Sequence, residues 1–204
     1  FRTTRLEYFK DSGVTFDKRF VPHINDVVRR SLNTLAFVHP SYREFTEIQS
    51  LSNNKIFFAF LRSKLEYCAI IWSPFYNVHI FYLESVQRRF LKYLCFKLDG
   101  IYPDRGLSED ILLARFNFNS LRTRRLLQGV VFLFNLLHNK IDCIYINNKI
   151  SYYVPRFSTR YRTCFYCDTC RTNILIKSPV VVMCETFNKI SIWCDINFDK
   201  INFI

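Results

Sequence analysis

The chain of 204 residues is 50% apolar and 18% aromatic, which excludes a disordered protein and allows one or two domains with a real core. Four glycines and six prolines are too few for the tight turns of a β-sandwich or barrel, so a mainly helical fold is favoured. The formal charge of +12 favours a polyanionic partner, with nucleic acid ahead of an acidic membrane surface. The alternative is a basic protein that binds neither.

The cysteines and the apolar runs bear on the compartment. Eight cysteines are too sparse for a disulfide scaffold, which favours a reducing compartment, nuclear or cytoplasmic, over secretion. No signal peptide opens the sequence, and no apolar run approaches the roughly 18 residues of a spanning helix, so no membrane partner is expected. Because the sequence starts at Phe1 and not at Met, we expect a segment of something longer.

A β-hairpin is predicted at the start of the chain. LEYFKDSGVTFD indicates a strand, a turn at residues 11–13 and a second short strand, Val14 to Phe16.

A helix follows the hairpin, in the segment HINDVVRRSLNTLAFV, and is expected to end at His39-Pro40. Its apolar stripe consists of Ile24, Val27, Val28, Ser31, Leu32, Leu35 and Val38. Asp26 and Arg30, four residues apart, are expected to pair on its surface.

Further helices are predicted along the chain. One is expected over residues 45–71, with an interruption near Asn53-Asn54, and stops at the Ser-Pro pair of residues 73–74. Ser108 is expected to cap a short helix that runs to Arg115, and Ser120 to cap the long helix LRTRRLLQGVVFLFNLLHNK.

The segment YLESVQRRFLKYL, residues 82–94, predicts a helix with an apolar side and a basic side. Its apolar side is formed by Leu83, Val86, Phe90 and Leu94, at spacings of three and four. Its other face carries Ser85, Arg88, Arg89 and Lys92. This surface is almost purely positive.

Arg122, Arg124 and Arg125 occupy the first turns of the long helix, where positive charge opposes the macrodipole by about 0.3–1 kcal/mol each when exposed. An anion at the helix start, held by free backbone N–H groups and these arginines, would offset the cost. The alternative is that the arginine side chains extend into solvent, where screening removes most of it.

Three predicted helices carry doubled arginines. The doublets are Arg29-Arg30, Arg88-Arg89 and Arg124-Arg125. If the helices pack side by side, their outer faces merge into one positive track that suits a phosphate backbone. The predicted nucleic-acid-binding residues are these six together with Lys92 and Arg122.

Three cysteines have a spacing found in metal sites. Cys164, Cys167 and Cys170 form C-x-x-C-x-x-C, but Cys184 and Cys194 stand singly and no histidine follows Cys170. Incidental cysteines are the favoured interpretation, and a zinc-dependent interaction module is the alternative. No catalytic residue is predicted, because the four histidines lie in dissimilar contexts and no G-x-S-x-G, P-loop or G-x-G-x-x-G motif occurs.

An ordered series of blocks resembles the end of the reverse transcriptase of jockey-like non-LTR (LINE-type) retrotransposons. The blocks are KDSGVTFD, FVPHINDVV, LRSKLEYCAIIWSPFY and LESVQRRFLKYL, with VPRFSTR and RTN further on. The similarity covers about Leu6 to Asn188. It departs from the family at Ser12, where leucine is usual, at residues 53–55, and at Cys170, where proline is common.

This resemblance implies a fragment of an RNA-directed DNA polymerase that binds RNA and DNA as a template–primer duplex. The parent enzyme uses two magnesium ions held by palm aspartates, whereas no Asp-Asp pair occurs here, so no cofactor and no catalysis are expected of this segment alone. Asp11, Gly13 and Val14 match the primer-grip region, and Arg88-Arg89 match the thumb. The missing palm of the parent polymerase is an expected partner.

Three regions are therefore expected. Residues 1–20 correspond to the end of the palm, residues 21–140 to a helical thumb and post-thumb bundle, and residues 141–204 to an irregular C-terminal extension. The predicted fold is mainly α, with a short N-terminal β-hairpin and a thumb-like helical bundle. The alternative to nucleic-acid binding and to the zinc module is a structural helical domain whose basic faces only keep it soluble.

Overall fold

A computed structural model describes residues 8–41, 57–104, 106–154, 163–167 and 171–193. The chain divides into two compact units, Phe1–Thr123 and Arg124–Ile204. The fold is mainly helical, with a short N-terminal antiparallel hairpin and an irregular C-terminal region, as the sequence predicts.

The hairpin of the first unit consists of β1 (Phe9–Asp11) and β2 (Val14–Phe16), which pair antiparallel. Ser12 and Gly13 form the turn with φ of 46° and 81°. Positive φ at both turn residues matches the right-handed twist of the strands. The strand–turn–strand prediction is confirmed.

Helix α1 (Val21–Ser41) buries the predicted apolar stripe at Ile24, Val28 and Leu35. It extends through Ser41, whereas the sequence predicted an end at His39-Pro40. Because Pro40 lies in the last turn, its missing N–H removes only a terminal hydrogen bond of the helix.

The single helix predicted next is divided into short pieces. A π-helical turn (Phe57–Arg62) leads into α2 (Ser63–Glu66), and α3 (Ala69–Trp72) follows. Cys68, between α2 and α3, has a left-handed φ of 51°, which breaks the helical backbone conformation. Helix α3 ends before Ser73-Pro74, as predicted, and the predicted interruption near residues 53–54 lies outside the described residues.

Helix α4 (Asn77–Asp99) contains the segment with an apolar and a basic side. Leu83, Val86 and Phe90 have no exposed surface, and Leu94 is 3% exposed, so the predicted apolar face is confirmed. Gly100 ends the helix with φ of 72° and donates its N–H to Phe96 O.

Two helices follow α4. Helix α5 (Glu109–Phe116) begins after Ser108, as predicted. The Ser108 side chain makes no capping hydrogen bond, so the predicted side-chain cap is wrong. Helix α6 (Leu121–Leu137) begins after Ser120, whose Oγ accepts the Thr123 N–H at 3.1 Å, so this cap is confirmed.

His23 lies in the core of the first unit, 4% exposed, with its ring edge-on to Trp72 at 5.0 Å between centroids. The Thr15 N–H donates to His23 Nδ1 at 3.3 Å, so the neutral ring carries its proton on Nε2. Burial lowers the pKa of His23. Among the charges that face it, Asp26 opposes this, while Arg30 and Lys10 add to it.

We expect the first unit to lose stability on mild acidification because of His23. Its unfolded pKa is near 6.5 and its folded pKa is lower, so between the two values the unfolded chain binds more protons. The stabilising contribution is present above pH 6.5 and is lost as the pH falls through the folded pKa. Urea unfolding at stepped pH should show that the free energy of unfolding falls more steeply on acidification for the natural chain than for H23F. Parallel curves would contradict this assignment.

The second unit contains the part of α6 from Arg124 onward and the elements that follow it. These are α7 (Ile144–Asn147), β3 (Ser151–Tyr152), β4 (Phe165–Tyr166), α8 (Asn173–Ile176) and α9 (Pro179–Trp193). Strands β3 and β4 pair antiparallel. The sequence predicted no element after residue 140, so α9 is the main feature of the fold that it missed.

Helix α9 packs through Met183 and Phe187, which are 5% and 0% exposed. Its Asn188 side chain accepts the Phe165 N–H at 3.1 Å and donates to Phe165 O at 2.8 Å, as a neighbouring strand would. Gly129 of α6 allows close approach, because a Cβ there would lie 3.0 Å from Met183 Cγ.

Within the described residues, no helix combines the length and the apolar character needed to cross a membrane.

Candidate nucleic-acid interface

The first arginine doublet is paired with a carboxylate. Arg29 and Arg30, both exposed on α1, each contact Asp26 at 2.6 Å. The pairing of Asp26 with Arg30 was predicted, and that with Arg29 was not. Burial alone would raise the pKa of Asp26, but the hydrogen bonds and charges of the two arginines outweigh it and lower the pKa. Because Arg29 and Arg30 share the single negative charge of Asp26, these three residues together keep a net charge of +1.

The second doublet is split. Arg88 is half-buried and forms an ion pair with Glu109, the first residue of α5, at 2.9 Å. Burial raises the pKa of Glu109, and the charge of Arg88 opposes that rise. Arg89, one residue on, is exposed and makes no ion pair with any residue the structure describes. Adjacent arginines on one helix thus have different environments.

Lys92 and Arg122 are two further predicted binding residues of the first unit. Lys92 donates from Nζ to the backbone oxygen of Asp104 at 2.9 Å, a bond that leaves its charge uncompensated. The Arg122 side chain is exposed. Among the described residues, no carboxylate forms an ion pair with Arg89, Lys92 or Arg122. We call these three side chains the unpaired cations.

A carboxylate of the chain itself occupies the start of α6. Glu84, 5% exposed on α4, accepts the backbone N–H of Leu121 at 3.0 Å and of Arg122 at 2.7 Å. With the Thr123 N–H bonded to Ser120, three of the first N–H groups of α6 have partners. An anion does lie at this helix start, but it is Glu84, so the backbone N–H groups that the anion alternative requires to be free already have an acceptor.

Arg124 and Arg125 belong to the second unit. Arg124 is half-buried and Arg125 is 5% exposed, although it was predicted to face a phosphate backbone. A guanidinium with so little accessible surface does not belong to a solvent-facing binding surface. The structure therefore assigns two of the three doublets to one unit, where α1 packs against α4, and the third to the other.

The hairpin tip presents part of the predicted primer-grip-like group. Asp11 and Gly13 are exposed at the turn, whereas Val14 is 1% exposed and belongs to the core. The Tyr67 hydroxyl donates to Ser12 O at 3.0 Å, which ties the turn to the two-residue connection between α2 and α3. Val14 therefore anchors the hairpin to the core of the first unit.

The predicted zinc ligands fall partly outside the described residues. Cys164 and Cys167 are half-buried and form no disulfide, and Cys170 is not described. Burial raises the pKa of the Cys184 thiol to about 12, and neighbouring Cys167 adds to the rise. In the described ranges, no three His, Cys, Asp or Glu side chains are arranged to hold a metal ion.

Glu84 is the residue that the sequence reasoning missed. A signal for it exists, because a lone acidic residue stands on the buried side of α4, between Leu83 and Gln87 along the chain. A buried carboxylate requires hydrogen-bond donors. The identity of those donors, 37 and 38 residues away, has no signal in the sequence.

No protein family model, no curated protein and no solved structure matches this chain.

Proposed function

We propose that this chain is the end of the palm, the thumb and the post-thumb part of a LINE-type reverse transcriptase, and that it binds template–primer nucleic acid without catalysis of its own. The resemblance of the ordered sequence blocks supports the family, and the hairpin followed by helices is compatible with it. Magnesium would belong to the palm of the parent enzyme. A polymerase of this kind works in the nucleus or the cytoplasm, which is the compartment we propose.

The observation that carries the binding proposal is the set of unpaired cations. Arg89, Lys92 and Arg122 lie in one unit and two of them lie on one helix, one turn apart. Phosphate contacts by such side chains release counterions and give affinity without base recognition. Arg29, Arg30 and Arg88 contribute less in this proposal, because a phosphate must compete with Asp26 or Glu109 for them.

We expect binding of a labelled RNA–DNA duplex to weaken steeply with salt, with a log–log slope of about −0.9 for each phosphate neutralised. The triple variant R89A/K92A/R122A should reduce the magnitude of that slope by up to about 2.7, since three contacts are lost. Fluorescence anisotropy from about 50 to 200 mM salt measures it.

The matched control is R29A/R30A/R88A, which removes the same formal charge from ion-paired positions. It should change the slope by less than half as much. Equal slopes for the two variants would show that net charge, and not the unpaired cations, determines binding. An affinity that does not change with salt would overturn the proposed function.

A further inference from the structure

The solvent-facing side of α4 carries aromatic and cationic side chains on one stripe. Its members are Tyr82, Ser85, Arg89, Lys92 and Phe96, at spacings of three and four. Such spacings place residues on one face of a helix. Tyr82 is 42% exposed and Phe96 is 41% exposed, and Arg89 is exposed between them. We call this set the α4 stripe.

The composition of the α4 stripe differs from that of an ordinary solvated helix face. No carboxylate belongs to it, and in the described part of the chain neither Arg89 nor Lys92 forms an ion pair. A flat ring lies toward each end, and Tyr102, 56% exposed, widens the ring surface at Phe96, with 6.2 Å between centroids. The order along the helix is therefore aromatic, cation, cation, aromatic.

Exposed aromatic rings beside cations fit unpaired nucleotides better than a closed duplex. In a duplex the faces of the bases are covered by their neighbours, whereas unpaired bases stack on aromatic side chains at about 1–3 kcal/mol per base. Phosphates of the same strand would lie against Arg89 and Lys92. From Tyr82 to Phe96 the helix rises about 21 Å, the length of about six stacked nucleotides.

We infer that the α4 stripe is a binding site for single-stranded nucleic acid, with bases stacked on Tyr82 and Phe96 and phosphates held by Arg89 and Lys92. The inference rests on the proposed function and adds to it, because it adds the stacking of unpaired template or primer bases on the two rings to the phosphate contacts that the same cations make with the duplex. Charge complementarity selects this occupant over an apolar protein surface.

The test compares a labelled single-stranded oligonucleotide with a duplex of the same length, using the full chain. The variant Y82A/F96A should weaken single-strand binding at least tenfold, leave the salt slope unchanged and leave duplex affinity within twofold. The variant R89A/K92A should lower the magnitude of the single-strand slope by about 1.4, which is about 0.7 for each cation. Y82W/F96W should retain single-strand affinity, because tryptophan preserves the stacking surface.

The matched control is F60A/Y145A, which removes two exposed rings outside the stripe and should change neither affinity. Unchanged single-strand binding by Y82A/F96A, with binding reduced in R89A/K92A, would overturn this inference and leave the proposed function standing. Absence of any nucleic-acid binding by the natural chain would overturn both. Loss of a dimer in sedimentation by Y82A/F96A, with unchanged affinity, would assign the stripe to a second copy of the chain and overturn the inference.

Discussion

Replacement of Glu84 by alanine should lower the free energy of unfolding by about 2–4 kcal/mol. The carboxylate is buried and accepts two backbone N–H groups at the start of α6, at 2.7 and 3.0 Å. Hydrogen bonds to a charged group are worth about 1.5–3 kcal/mol, and the loss of one partner leaves the buried donors unsatisfied. The negative charge of Glu84 also interacts favourably with the positive end of the helix macrodipole, whereas the positive charge of Arg122 interacts unfavourably with it.

Glu84→Gln separates charge from shape. The amide retains one acceptor oxygen, so we expect E84Q to lose about half as much stability as E84A. Asp104→Ala is the matched control in the same unit, because the Asp104 side chain is exposed and only the backbone oxygen of this residue contacts Lys92. The effect of D104A on the free energy of unfolding should stay within about 0.5 kcal/mol. Urea unfolding followed by far-UV circular dichroism measures all three. Equal effects of E84A and D104A would refute the capping role of Glu84.

The second large effect is expected at Trp72, where alanine should cost about 3–5 kcal/mol. The side chain is 1% exposed, and its ring meets His23 of α1 edge-on. Its Nε1 donates to Tyr67 O at 2.7 Å, across the left-handed residue Cys68. One large side chain thus holds α3, a helix of a single turn, against α1.

Trp72→Phe distinguishes the hydrogen bond from the packing. Phenylalanine keeps most of the apolar surface but leaves Tyr67 O without its donor, so a loss of about 1–2 kcal/mol is expected. Phe81→Ala, an exposed aromatic position, is the control and should change stability by less than about 0.5 kcal/mol. A loss below 1 kcal/mol for W72A would contradict the assigned role of the ring.

Local patterns predicted the local structure well. The hairpin followed from a turn with glycine, and the buried face of α4 followed from apolar residues at helical spacing. The ion pair between Asp26 and Arg30 followed from a spacing of four. Each of these features depends on residues that are close in the sequence, so the spacing alone determines which side chains meet.

Contacts between distant segments were not predicted. Nothing in the spacing of Arg88 indicates that Glu109, 21 residues on, would pair with it, and nothing indicates that Arg125 is buried. Helix α9 was missed for another reason, because Val180, Val181 and Val182 form a β-branched run that favours strands when isolated. In the fold, packing of Met183 and Phe187 at helical spacing outweighs this preference.

The contact between Glu84 and the start of α6 also restricts how the sequence can drift. Position 84 requires a carboxylate of sufficient reach, while its partners are main-chain amides that every residue except proline supplies. The exposed side chain at position 122 is thus free to vary as far as this contact is concerned. Covariation analysis is therefore expected to find no side-chain counterpart for Glu84, and a substitution to proline at 122 would remove one of the two N–H groups that donate to it.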